Sequence, residues 1–281
     1  MGDINRAGTV FCAVGATLGP GGAAGAPGAT ETNSMVNQAD PRFGRGAAAA
    51  RTGTTAAEYD VGLRRHMLSV YNYMMSGVLL TGIVALGMNF TGAVNALVSQ
   101  TGGLSGLGWV VALAPLAFVM LLSFRYQTMS EGAVQALFWS FAAIMGASMS
   151  TIFLVYTSTS IATTFFATAA AFAGLSLYGY TTKKDLSKLG TFLVMGLIGI
   201  LVAMLLNLFL QSGTLSLVIS ILGVLIFAGL TAADTQRIKE SYDYVAGTDM
   251  AGKAAIMGAL TLYLDFINLF QFLLSFLGQR E

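Results

Sequence analysis

Hydrophobic residues in this chain fall into long runs, not into the alternation of a half-buried strand or the three-and-four spacing of a surface helix. Charged residues mark where the runs end. No Lys, Arg, Asp or Glu occurs in the 58 residues from Met67 to Phe124, the 51 from Gly132 to Thr182, or the 45 from Leu189 to Ala233. A fourth run, the 26 residues from Ala254 to Gln279, is interrupted only by Asp265. A helix that crosses a bilayer needs about 20 apolar residues. Each of the first three runs therefore holds two spans and a turn, and the fourth holds one. The pattern predicts an all-α membrane protein with transmembrane helices near Leu68 to Phe90, Leu107 to Phe124, Ala133 to Tyr156, Ile161 to Tyr180, Leu189 to Leu210, Leu215 to Ala233 and Ala254 to Leu277. Pro115 is expected to kink the second unless neighbouring groups satisfy the freed carbonyl. Unbroken apolar stretches such as LVMGLIGILVAMLLNLFL exclude a transmembrane barrel, whose strands alternate apolar and polar positions.

Composition narrows the class further. The 281 residues are 55% hydrophobic and only 10% charged, against about 25% charged in soluble domains. A net charge of +1 argues against a nucleic-acid partner. The single cysteine, Cys12, cannot close an intramolecular disulfide, and the single histidine, His66, cannot build a His/Cys metal centre. The serine-rich stretch Gly146 to Thr151 has no intramembrane His or Lys to activate a hydroxyl, and no lysine lies within a span to hold a retinal. No enzymatic function is expected, and no tightly bound cofactor.

Basic residues set the expected orientation. Six precede the first span, and Arg125, Lys183, Lys184, Lys188, Arg237, Lys239 and Lys253 follow the second, fourth and sixth. Of the fourteen, only Arg280 falls on the other side. The positive-inside rule then predicts a cytoplasmic N-terminus and an external C-terminus. Residues 1–58 read as a disordered Gly/Ala-rich cytoplasmic tail and 59–281 as the membrane domain, with Met35 an alternative start to Met1.

Polar residues inside the spans carry the remaining information, because each costs free energy in hydrocarbon. Asp265 lies 11 residues into the seventh span, roughly 16 Å deep and close to the midplane. Gly258, Thr261, Asp265 and Asn268 share a face of that helix at spacings of three and four. Asp265 is expected either to act in function or to hydrogen-bond between helices as a structural carboxyl. Asp234, placed at the mouth of the sixth span, reads more readily as a solvated helix end than as a functional group. His66 is expected at the interface, the span methionines as packing residues, and Gly196 and Gly199 as points of close helix approach. Glu240, Asp243 and Asp249 are expected to be solvated charges of the loop before the last span, with no EF-hand spacing.

Three segments together carry a resemblance: Tyr180 to Gly190 (YTTKKDLSKLG), Ala233 to Lys239 (ADTQRIK) and Leu262 to Phe270 (LYLDFINLF). In this order, across about Tyr59 to Leu277, they resemble the Bax inhibitor-1 family of transmembrane Bax-inhibitor-motif proteins and its bacterial YccA-like branch. The resemblance implies six helices bundled around a central seventh. It also implies a pH-sensitive calcium leak channel in which Asp234 and Asp265 share a proton and Arg125 latches against them. Two carboxyls in a poorly solvated site repel, so they would titrate as one unit, and their oxygens suit a hard cation such as calcium. Asp234, Asp265, Arg125, Thr261 and Asn268 are thus the candidate pH sensor and ion pathway.

Ala233 departs from the aromatic residue common before the aspartate in relatives. The end Gly278 to Glu281 lacks the basic tail linked to acid activation in animal members. A second function stays open beside the channel: a membrane interaction protein that restrains a membrane-bound quality-control protease or another membrane complex. The expected partners are the lipid bilayer, calcium and protons. The expected location is a bacterial inner membrane, with an organelle membrane the lesser option.

Overall fold

A computed structural model describes residues 56–99 and 103–279. Seven helices are long and apolar enough to cross a membrane. They are α1 (Ala56–Phe90), α2 (Gly106–Arg125), α3 (Glu131–Met149), α4 (Ser158–Thr181), α5 (Ser187–Leu210), α6 (Gly213–Val245) and α7 (Ala251–Leu277). The expected count and order hold. The tail before residue 56, including Cys12 and Met35, and the last two residues, including Arg280, lie outside the described residues.

Helix ends follow local chemistry. Ser105, Ser130, Thr157 and Ser212 each accept a hydrogen bond from a backbone N–H of the first turn of α2, α3, α4 and α6. Glycines at positive φ, Gly92 at 73° and Gly247 at 72°, turn the chain after α1 and α6. Before α5, the Asp185 carboxylate accepts from Ser187 N–H at 2.8 Å. Hydrogen bonding from Ser187 holds that carboxyl below its ordinary pKa range.

Several boundaries differ from expectation. α1 begins well before Leu68 and α6 runs to Val245, because hydropathy registers where charge begins, whereas a helix continues through charged residues until a breaker arrives. α2 is continuous through Pro115. The third span ends in a 3₁₀ turn, Ser150–Leu154. Between α1 and α2, a 3₁₀ turn Ala93–Leu97 leads into a two-residue antiparallel ladder, β1 (Val98–Ser99) with β2 (Gly103–Leu104).

α7 is the axis of the bundle. Its apolar stretch is 72% buried, where those of the other six helices are 22–50% buried, and it packs against α1, α3, α4 and α6. Asp265, Asn268 and Gln271 lie within α7, and polar groups of this kind are costly against lipid, so the helix is held among the others. Polar pins fix its rotation. The Tyr263 hydroxyl meets Thr81 Oγ1 of α1 at 2.6 Å, and Thr81 donates to Ala142 O of α3 at 2.9 Å. Phe138 and Phe141 pack edge-on against the Tyr263 ring. On the outer faces of α5 and α6, Phe192, Met195, Phe209 and Leu225 are exposed, as a lipid-facing surface requires.

Close approach depends on glycine at particular positions. Gly179 of α4 lies against the backbone of Ala232 in α6, and Gly223 of α6 takes the Phe272 ring of α7. Gly196 behaves as expected, since a Cβ there would meet Ile226 of α6 at 3.0 Å. Gly199 does not, having nothing within 4 Å of such a Cβ.

Candidate functional site

The motif around Asp234 lies inside a helix. α6 carries Asp234 through to Val245 without a break, and the residue is buried, 8% exposed. The reading of Asp234 as a solvated helix end is therefore corrected: charge density rises one turn later, at Arg237, and the carboxyl itself faces inward. Glu240 and Asp243, expected in a loop, are exposed residues of the same helix; Asp249 is exposed in the turn after it. Asp265 is 2% exposed near the middle of α7.

The two carboxyl groups approach within hydrogen-bonding reach of each other across the α6/α7 seam. Ionised carboxylates only accept, so a hydrogen bond between two carboxyls requires a proton on one of them. The second oxygen of Asp265, Oδ2, is buried without a hydrogen-bond partner among the described residues.

Arg237 is the cation at this pair. Its Nη1 lies 3.2 Å from Asp234 Oδ1, one helical turn along α6, with the side chain 56% exposed. Arg125, expected in that role, is exposed at the end of α2 and forms no ion pair with a described carboxylate. Thr261 and Asn268 flank Asp265 along α7 as the spacing required. Thr261 Oγ1 donates to Met257 O at 3.2 Å and Asn268 Nδ2 to Leu264 O at 2.8 Å, so both side chains bond back to their own helix.

The Tyr180–Gly190 and Ala233–Lys239 motifs are physically joined. Gln236 reaches from α6 into the α4–α5 loop, accepting from Leu186 N–H at 2.7 Å and donating to Lys184 O at 2.8 Å. Lys239 donates to Tyr180 O at 2.9 Å and lies 5.2 Å from the Tyr180 ring centroid. Gly190 of α5 meets Ala233, where a Cβ on the glycine would stand 3.3 Å from the alanine methyl. The small residue at 233 thus lets α5 lie close, which accounts for the packing at this departure from the family pattern.

Residues without a sequence signal also gather here. Tyr71 of α1, Ser176 of α4 and Thr235 of α6 form a hydroxyl chain at 2.7 and 3.0 Å beside Asp234. His66, expected at the interface, is 6% exposed, lies tilted against the Tyr242 ring with centroids 5.3 Å apart, and has no partner for Nε2 among the described residues. Near it the Tyr59 hydroxyl donates to Asp243. Only periodicity could have flagged Ser176 and Thr235, and isolated hydroxyls in spans commonly bond to their own backbone.

Comparison with known proteins agrees with this construction. The family model described as "Inhibitor of apoptosis-promoting Bax1" matches residues 63–281. The Escherichia coli inner membrane protein YbhL is 45% identical over 223 residues, covering 78% of this chain and 94% of YbhL. An uncharacterized protein of Rickettsia prowazekii, RP147, is 46% identical over 235 residues, covering 82% of this chain and 98% of its own. An uncharacterized Caulobacter vibrioides protein is 48% identical over 226 residues, covering 78% and 90%. The seven-helix chain built around the Asp234–Asp265 seam belongs to the Bax inhibitor-1 family.

Proposed function

We propose that this membrane protein is a calcium-permeable leak pathway of the bacterial inner membrane, gated by the proton that Asp234 and Asp265 share. The close approach of these two buried carboxyls carries the reading. Removing the shared proton leaves two negative charges facing each other across the α6/α7 seam. At about 4 Å and an effective dielectric near 20, two unit charges repel by roughly 4 kcal/mol. That is enough to shift a two-state equilibrium several hundredfold. Arg237 offsets part of this on the Asp234 side, so charge builds chiefly at Asp265.

Calcium is cargo in this reading, not a resident ion. A settled calcium site collects 6 to 8 oxygens, and the described residues contain no group of three or more His, Cys, Asp or Glu placed to hold a metal. Two carboxylates with Thr261 and Asn268 nearby suit transient coordination, and no catalytic step is assigned. The basic residues at Arg125, Lys183, Lys184, Lys188, Arg237, Lys239 and Lys253 support a cytoplasmic N-terminus. Location in an inner membrane is the description carried by YbhL.

Calcium flux into liposomes holding the purified chain, compared at about pH 6 and about pH 8, tests the proposal. A pH-dependent leak supports it. No flux at either pH, together with capture of a membrane-bound protease, replaces it with the interaction function.

A further inference from the structure

Above the aspartate pair, towards the C-terminal end of α7, the helix carries acceptors that the pair does not use. Asp265, Asn268, Gln271 and Ser275 succeed one another at spacings of three, three and four. These residues wind over about a third of the helix circumference and rise roughly 15 Å, half the hydrocarbon thickness. Gln271 is 5% exposed, and its Oε1 has no hydrogen-bond partner among the described residues; Asp265 Oδ2 shares that condition below it. Buried polar atoms that protein leaves unpaired are ordinarily met by ordered water or an ion. Two of them, about 9 Å apart on one helix with an amide between, describe a file and not a single trapped molecule.

The direct α6/α7 seam is closed to such a file. Phe272 occupies the notch at Gly223 and stacks on Phe227 with centroids 5.7 Å apart. Past this plug, the Ser275 and Ser220 hydroxyls meet at 2.9 Å, and beyond them Gln279 is tied to Ser160 and Thr157 at the start of α4. Acceptors therefore continue on the Asn268 and Gln271 side where the Phe227–Phe272 side is dry.

We propose that the C-terminal half of α7 lines a narrow hydrated file leading from that end of the bundle to Asp265, with Gln271 as its intermediate station. Its ligands are water and, on the strength of the leak function proposed above, small hydrated cations. The file binds them through carbonyl and carboxylate oxygens and presents no basic group. Gln271 then belongs to the pathway together with Asp265.

The test replaces the single cysteine with Cys12→Ser and introduces Gln271→Cys, with Leu269→Cys as a buried control in the apolar cluster of α5 and α6. Sealed proteoliposomes are exposed to silver ion, a small thiol reagent soluble in water, and the thiols left are counted after denaturation. Reaction at position 271 is expected on the order of tenfold faster than at position 269. Equal, slow reaction at both positions overturns the file. In parallel, Gln271→Leu is expected to cut calcium leak on the order of tenfold, while Gln271→Asn, which keeps the amide, stays within about twofold. Fast silver reaction at position 271 in the Gln271→Cys variant, with no calcium leak from the wild type, leaves the file standing and removes the channel. A pH-dependent leak unchanged by Gln271→Leu, with position 271 unreactive, removes the file and leaves the aspartate gate.

Discussion

Arg237 and Asp234 form an ion pair at 3.2 Å one turn apart on α6, with the arginine side chain 56% exposed and the aspartate side chain 11% exposed. The arginine thus faces the outside of the bundle while its partner carboxyl faces Asp265. An i,i+3 pair within one helix holds its charge in place without requiring two helices to stay together.

The arginines should therefore differ in effect. Arg237→Gln removes the cation that offsets Asp234 and is expected to shift the pH response of the leak by a measurable fraction of a unit, a shift of one unit being about 1.4 kcal/mol. Arg125→Gln, which breaks no ion pair with a described carboxylate, should leave the titration midpoint in place. A larger shift for Arg125→Gln in liposome flux would restore the latch implied by the family resemblance.

Replacing either aspartate removes the partner with which the other shares a proton. Calcium leak in Asp265→Asn and in Asp234→Asn should lose its pH dependence, and the double variant should add little because the two act as one unit. Additive effects of the two substitutions on flux would mean that the carboxyls work independently.

Gln236 holds the α4–α5 loop by two hydrogen bonds in a site where it is 6% exposed. Gln236→Leu leaves the Leu186 N–H and Lys184 carbonyl without that partner, at a cost of about 1–3 kcal/mol. Tryptic cleavage at Lys183, Lys184 and Lys188 should speed up, and the melting temperature in detergent should fall. Unchanged cleavage would show that the loop is held elsewhere.

Gly179→Ala places a methyl against the Ala232 backbone, which cannot swing aside as a side-chain tip can. The expected loss is about 1–3 kcal/mol. Gly199→Ala, with nothing within 4 Å, should be neutral or slightly stabilising through helix propensity. Thermal unfolding of the two variants side by side decides the point.

The orientation proposed from the charge distribution is testable by reporters. Fusions at Ser187, the first residue of α5, and after Glu281 should report opposite faces of the membrane, because three helices, α5 to α7, separate them. Identical readouts would mean that one of the three does not cross.

The sequence by itself determined the number, order and class of the helices, since about 20 uncharged residues in a row have few stable environments other than a bilayer. It also determined that Asp265 could not face lipid. What it left open was decided by contact between segments far apart in the chain. Asp234 read as a helix end because hydropathy stops there; burial of the carboxyl depends on α7 lying alongside, and its partner is 31 residues away. Arg237 rather than Arg125 meets the pair because one helical turn places Arg237 beside Asp234, while Arg125 ends another helix. Gln271 carried no spacing signal strong enough to separate it from its neighbours, and Tyr71, Ser176 and Thr235 lie on three different helices. A hydrogen bond across a helix seam is set by rotation and register between two rods, and neither quantity is written in the periodicity of one rod alone.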